Sequence, residues 1–315
     1  MALGDEILAV VTRGLLRAVE SRGLDRMALL REAGLTEAAL ERPDSWVPIA
    51  RHLRVGQAIA AAFPGSNVGL QTGAPIYSDP GGALGYCLRR SQVHRRALSN
   101  FAAYVETVNR AVRIVLLPEP RGTALVLEML PEMATAGHPA ESLLAAWVSI
   151  SRYLTGSAWH PLQVEFVHQP FGDTEEHRAL FGCPVAFGQA QTRLVLSDDV
   201  SALAVPELAH EFEHVVRGAG DCARSFIESD EGTRESLATL CDQLLAMPLD
   251  IRAARLDLAP ERLNARLALA RALLERFGAL AHEAAYLLGF ESLRCFERAF
   301  LERFGTSPAQ FAFQN

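Results

Sequence analysis

The chain has no lysine; all 30 of its basic residues are arginine. That excludes a phosphate-cradling Gly-rich loop whose lysine reaches the phosphates, and otherwise reads as the codon composition of a GC-rich genome. Long apolar runs are also missing. Each is broken by Arg or Glu well before the roughly 18 residues a membrane span needs. Met1 to Val11 has no basic n-region, so neither a membrane span nor a signal peptide is expected. Cysteine is sparse and scattered: Cys87, Cys183, Cys222, Cys241 and Cys295 form no C-x-x-C pair. Such a set reads as reduced thiols in a cytoplasmic chain. There is no nucleophile elbow and no paired-carboxylate motif, so an enzyme is not expected and no cofactor is implied. The net charge of -7 argues against a chain that coats nucleic acid indiscriminately.

At 315 residues, 50% of them hydrophobic and 21% charged, the chain has room for two domains, each with its own core. Ile7, Leu8, Val11, Leu15, Leu16 and Val19 share one helical face, which predicts a helix from Asp5 to Glu20. Further helices are predicted over Asp25 to Glu32, Ile49 to Phe63, Val93 to Val108 and Glu141 to Leu154, the last with Trp147 on its apolar face. Val68 to Gly85 is rich in Gly and Pro and reads as compact turns. Val112 to Leu117 and Thr123 to Leu130 are strand-like, joined by a hairpin-like Pro118 to Gly122 connection. Strands at Leu162 to Val167 and Thr192 to Leu196 flank a helix at Thr174 to Phe181. The alternation gives an α+β domain over residues 1–200. Two long helices form a connector over residues 201–247, a candidate dimer surface, and Pro248 opens an all-α domain over residues 248–315.

The last domain holds the most specific pattern. A short amphipathic helix (Leu280 to Leu288) meets a Gly289-Phe290 turn. Glu291-Ser292 then opens a second helix, which stops at Gly305 before Ser307-Pro308. Two helices around a tight Gly-containing turn are the sequence form of a helix-turn-helix, whose second helix offers its N-terminal residues to the DNA major groove. The fold class expected is thus an α+β N-terminal domain followed by an all-α helix-turn-helix domain.

Four segments carry a family resemblance. They are GGALGYCLRRSQVHRRAL (Gly81 to Leu98), VEFVHQP (Val164 to Pro170), FGCPVAFG (Phe181 to Gly188) and AAYLLGFESLRCFERAFLERFGTSPAQF (Ala284 to Phe311). Together they resemble bacterial transcription regulators of the AraC/XylS family with an arabinose-binding-type N-terminal domain. The resemblance implies a sensor domain for a small-molecule effector, double-stranded promoter DNA as partner, and a homodimer as candidate assembly. It places Ser292, Arg294, Cys295 and Arg298 on the DNA side, while Phe296, Phe300 and Phe304, at i, i+4 and i+8, pack inward. Arginine suits this role because its fork bonds a phosphate, or guanine O6 and N7 together. Leu301 and Glu302 stand where the family commonly carries basic residues, and Glu297 adds another negative charge; each weakens phosphate attraction.

The family carries two helix-turn-helix units joined by a linker helix. Ala253 to Leu267 resembles the end of the first, with a recognition helix opened by Ala259-Pro260. Arg262, Asn264 and Arg266 are its candidate contacts. The chain then runs directly into the late linker and the second unit. On the order of 20 residues usual for the family have no counterpart here, and each deleted helical residue turns the next element by about 100° and shortens the span by about 1.5 Å. Two recognition helices read one face of DNA only at a spacing near one duplex turn, roughly 34 Å. Two outcomes are therefore expected: a regulator binding through one working unit, or an effector-binding or protein-interaction module without specific DNA binding.

Two weaker signals remain. His210-Glu211-Phe212-Glu213-His214 matches H-E-x-x-H, the zinc-hydrolase helix motif, with Glu228 or Glu235 as third ligand by distance alone. The expected reading is a solvated, charged helix. Tyr77, Tyr86, Trp147 and Trp159 are candidate walls of a ligand pocket.

Overall fold

The computed structural model describes residues 3–20, 22–41, 45–77, 83–206, 210–227, 230–245, 259–290 and 292–313. The chain divides into two compact units, one of Met1–Asp79 with Val93–Ala204, the other of Pro80–Gln92 with Val205–Asn315. A mixed α/β region precedes an all-helical one, as the periodicities require.

In the first unit, β1 (Glu6–Leu8) pairs antiparallel with β2 (Trp46–Pro48), Ile7 opposite Val47. The helix expected from Asp5 therefore starts later, as α1 (Ala9–Glu20). Ile7 and Leu8 satisfy the helical pattern equally well, but their backbone is taken by a partner strand some forty positions away. The Arg110 guanidinium closes this corner, 3.7 Å over the Trp46 ring and 2.6 Å from Glu6.

Three helices follow: α2 (Arg26–Glu32), α3 (Glu37–Glu41) and α4 (Ile49–Ala62). The Asp25 side chain caps α2 by accepting from the Met27 N–H. Next, α5 (Val68–Tyr77) runs as helix through the stretch whose glycines suggested turns. The reason is packing. A Cβ at Gly69 would lie 2.5 Å from the His138 carbonyl oxygen, and one at Gly73 2.3 Å from that of Ser142. Both glycines let α5 lie directly on α9 (His138–Thr155), which outweighs their poor helix propensity of about 1 kcal/mol each.

A five-stranded sheet completes the unit, in the order β3-β4-β7-β5-β6. The hairpin β3 (Val112–Glu119) and β4 (Gly122–Met129) closes at Glu119 opposite Gly122, and β7 (Thr192–Ser197) pairs antiparallel with β4. Short β5 (Gln163–Glu165) joins β7 antiparallel and β6 (Val185–Ala186) parallel. Ala124, Val126 and Val195 pack together as a buried cluster on the sheet. The remaining helices are α7 (His94–Val108), α8 (Pro131–Ala136), α10 (Glu175–Phe181) and α11 (Asp198–Ser201). Trp147 of α9 is fully buried and stacks on His94 of α7, ring centroids 5.0 Å apart.

The second unit holds α6 (Ala83–Arg89), α12 (His210–Arg224), α13 (Glu231–Leu245), α14 (Pro260–Arg276), α15 (Ala281–Leu287), α16 (Leu293–Phe304) and α17 (Pro308–Phe313). Its centre is α14, which packs against α12, α13, α15, α16 and α17. Every residue from Ala265 to Ala270 is buried, so this helix is covered all round. The Arg271 guanidinium lies 4.0 Å over the Phe226 ring and 5.4 Å from that of Phe311, tying α14 to the end of the chain. From the N-terminal half, α6 packs on α15, where Cys87 is within hydrogen-bonding reach of the Tyr286 hydroxyl and burial pushes its thiol up.

Candidate nucleic-acid interface and buried cavity

The bihelical element at the end of the chain is built by local signals. The Glu283 carboxylate accepts from the Leu280 N–H at 2.9 Å and so holds the start of α15. Gly289, at φ 70°, takes the left-handed turn, and Phe290 N–H reaches back to the Ala285 carbonyl at 3.0 Å. The Ser292 hydroxyl then caps α16 by accepting from Cys295 N–H at 3.2 Å. Gly305, at φ 71°, ends it. Phe296 and Phe300 are fully buried, and the ring series Phe290, Phe296, Phe300, Phe304 is in contact at centroid separations of 5.1, 5.5 and 4.6 Å.

With the aromatics inward, α16 turns Arg294 and Arg298 to solvent, and among the described residues neither is held in an ion pair. Ser292 and Cys295 are half-buried beside them. Glu302 is exposed and Leu301 is 49% exposed, so the outer face mixes charge of both signs with an apolar side chain.

The other three candidates lie on α14. Arg262 is exposed and Asn264 half-buried, but Arg266 is only 7% exposed; both arginines are engaged with partners. The first helix expected ahead of Pro260 lies outside the described residues. The expected recognition helix and the linker after it form one uninterrupted α14.

Of the H-E-x-x-H segment, the His210, Glu211 and Phe212 side chains and Glu228 lie outside the described residues. Glu213 pairs with Arg217 at 2.8 Å, and His214 and Glu235 are exposed. Among the described residues no group of three or more His, Cys, Asp or Glu is arranged to hold a metal ion.

The first unit contains a cavity of about 50 Å³ between β1, α1, α4, α5, α8 and α9. Its walls are mostly apolar, with His52, Thr72, Asn109, His138 and Ser142 among them. Of the expected pocket walls, Trp147 and Trp159 do not line it. They belong to the core around His94. The Tyr77 and Tyr86 side chains lie outside the described residues.

Beside the cavity, Glu141 is fully buried on α9 within reach of three histidines. Its carboxylate lies 2.8 Å from His177 Nε2, 3.7 Å from His168 Nε2 and 3.5 Å from His138 Nδ1. Burial alone would raise this carboxyl; hydrogen bonding from His138 and His177 and the charge of His177 and His168 hold it down at about 2. Burial lowers His168. The rings of Phe166, Phe171 and Phe187 enclose the group. Sequence reasoning missed it, because its members are dispersed over forty positions. Its one sequence signal is an acid at the start of a strongly apolar helix.

Residues 23–205, more than half of the chain, match the family described as the arabinose-binding domain of AraC transcription regulator, N-terminal. The chain belongs to this family of transcription regulators. It is similar to the ornithine utilization regulator of Pseudomonas aeruginosa, 24% identical over 176 residues; the match spans 56% of this chain and 52% of that regulator. The crystal structure of transcriptional regulator CdpR from Pseudomonas aeruginosa aligns over 96% of this chain and 97% of its own, with 16% identity and a TM-score of 0.48. Among the described residues, no helix is long and apolar enough to cross a membrane.

Proposed function

We propose that this chain is a ligand-responsive regulator of transcription that binds double-stranded promoter DNA through α16, works in the cytoplasm and assembles as a homodimer. The observation that carries the reading is the capped helix α16, its aromatic face buried and Arg294 and Arg298 exposed at its outer face. Ser292 and Cys295 lie at the end that enters a groove, and Arg262 and Asn264 at the start of α14 supply a second set of contacts. Arg266, buried in α14, acts as a brace rather than a contact.

We further propose that the DNA-binding domain is shortened. The single helix α14 serves as both recognition helix and linker, which is too little chain to set two recognition helices one duplex turn apart, roughly 34 Å. One unit per chain then reads DNA, and a dimer supplies the second half-site. Effector occupancy reaches the DNA-binding unit along the chain: α5 lines the cavity with Val68 and Thr72, and the next helix, α6, packs on α15 of the helix-turn-helix. Such coupling is a free energy between two sites and must be measured as one.

The test is fluorescence anisotropy of the purified protein on DNA from just upstream of its own gene, at two salt concentrations. A complex that survives the higher salt and resists competition by random DNA supports the reading. Binding that vanishes with salt, or none, favours the second reading, an effector or protein-interaction module without an operator. The exposed Leu301 and Glu302 on α16 speak for that second reading.

A further inference from the structure

We propose that the cavity of the first unit binds a small, uncharged, largely apolar molecule with a single hydrogen-bonding group, the chemistry of a short alcohol, ketone or primary amide. The site stands on its own geometry; its role as effector site rests on the function proposed above.

The walls decide polarity. Ile7, Val11, Leu15, Leu53, Met133 and Leu143 face the space, and among the described residues no Asp, Glu or Arg lines it. A carboxylate or ammonium group would enter without a counter-ion of its own, since His138 already faces Glu141 at 3.5 Å, and an unpaired buried charge costs far more than such a small contact returns. Burial holds His52 at about 4, so it is neutral at physiological pH and supplies no charge.

Hydrogen bonding narrows the class further. The Thr72 hydroxyl donates to the Val68 carbonyl at 2.8 Å, the Asn109 carboxamide oxygen accepts from Ala111 N–H at 3.0 Å, and His52 Nδ1 is bonded to the Thr12 hydroxyl at 3.0 Å. Ser142 differs. It is 8% exposed, lines the cavity, and its hydroxyl has no partner among the described residues, whereas His138 Nδ1, also in the wall, is turned to the Glu141 carboxylate at 3.5 Å. A ligand with one donor or acceptor satisfies it. A sugar exceeds the 50 Å³ of space.

Gly56 supplies an independent observation. It lines the cavity from the interior of α4, where glycine costs about 1 kcal/mol relative to alanine. No close neighbour requires it, since an added Cβ would meet nothing within 4 Å. Glycine here leaves the cavity open. At about 15 Å³ for each water-sized volume, the 50 Å³ cavity takes a ligand of only a few non-hydrogen atoms.

The experiment titrates the full chain with acetamide, acetone and ethanol, and with acetate, ethylammonium, ornithine and arabinose, reading calorimetric binding and the shift in Tm. At least one neutral compound is expected to bind saturably and raise Tm, while the charged compounds and the sugar do not. Gly56→Leu, which fills the space and improves helix propensity, is expected to keep or raise Tm and abolish binding. Ser142→Ala is expected to weaken it at least tenfold. The site is refuted if none of the three neutral compounds binds, or if binding persists undiminished in a folded Gly56→Leu protein. It is also refuted if cations bind instead and lose binding in Glu176→Gln, which would place the ligand in the surface cleft of Asp173, Glu175 and Glu176. Anisotropy on promoter DNA with the bound compound separates the two readings. A changed DNA affinity supports both, and an unchanged one sustains the site while refuting its effector role.

Discussion

His177 Nε2 lies 2.8 Å from Glu141 Oε1, with both side chains wholly inaccessible to solvent. Two polar groups are thereby removed from water inside an aromatic shell, and the pair joins α10 to α9. Breaking a buried pair from one side leaves the other group uncompensated, at about 3 to 5 kcal/mol. His177→Ala and Glu141→Ala should each lower Tm by roughly 10 °C, and the double substitution should cost clearly less than their sum. Calorimetric melting of the three variants checks this; additive losses would mean that the pair contributes little.

Acid should destabilise the first unit in two steps. Burial holds His52 and His94 at about 4, below the ordinary value of 6.5 that they regain on unfolding. Between those values the unfolded chain binds more protons, so stability falls as pH drops from 6.5 towards 4. Glu141, held at about 2 against an ordinary 4.5, contributes stability that is complete above 4.5 and lost as pH falls towards 2. Urea unfolding between pH 7 and 3 should show a declining midpoint, with the upper part of the slope reduced in His52→Gln.

On DNA, the exposed arginines should separate from the buried one. Arg294→Ala and Arg298→Ala are expected to leave Tm unchanged. Each should reduce the salt slope of binding by about 1 if it contacts phosphate, or relax specificity by about 1 to 3 kcal/mol at one base if it contacts a base edge. Arg266→Ala should do the reverse, lowering Tm without a specific change in slope. Anisotropy titrations at several salt concentrations, paired with melts, distinguish these outcomes.

Gly73→Ala tests the close approach of α5 to α9. A methyl 2.3 Å from the Ser142 carbonyl oxygen forces the helices apart, so the substitution should destabilise by about 1 to 3 kcal/mol despite the better helix propensity of alanine. A stabilised variant would show that the helices separate freely.

The helix-turn-helix was legible because its determinants are local. Ser292, Gly289 and Gly305 specify caps and a turn within a few residues, and the phenylalanines repeat at helical spacing. The hairpin of β3 and β4 was legible for the same reason. The strand β1 and the helix α5 were not, since each depends on a distant surface: Val47 opposite Ile7, and α9 against Gly69 and Gly73. Burial of Arg266 escaped the sequence too, because an arginine in an alanine- and leucine-rich helix reads as its solvent face until four further helices and α6's partner α15 are seen to surround that helix. Of the histidines around Glu141, His138 stands three positions before it on the same helix, while His168 and His177 are brought to it only by the tertiary fold.

The passage of Pro80–Gln92 into the second unit means that the two halves of this protein are not interchangeable cassettes. A fusion that joined residues up to Ala204 to a foreign DNA-reading domain would leave Leu84, Cys87 and Leu88, all buried here, facing water. A gene fragment beginning at Val205 would lack the helix that covers α15. Chimeras of this regulator should therefore express poorly unless α6 and α15 come from the same parent, and in descent the two segments should change together although nearly two hundred positions lie between them.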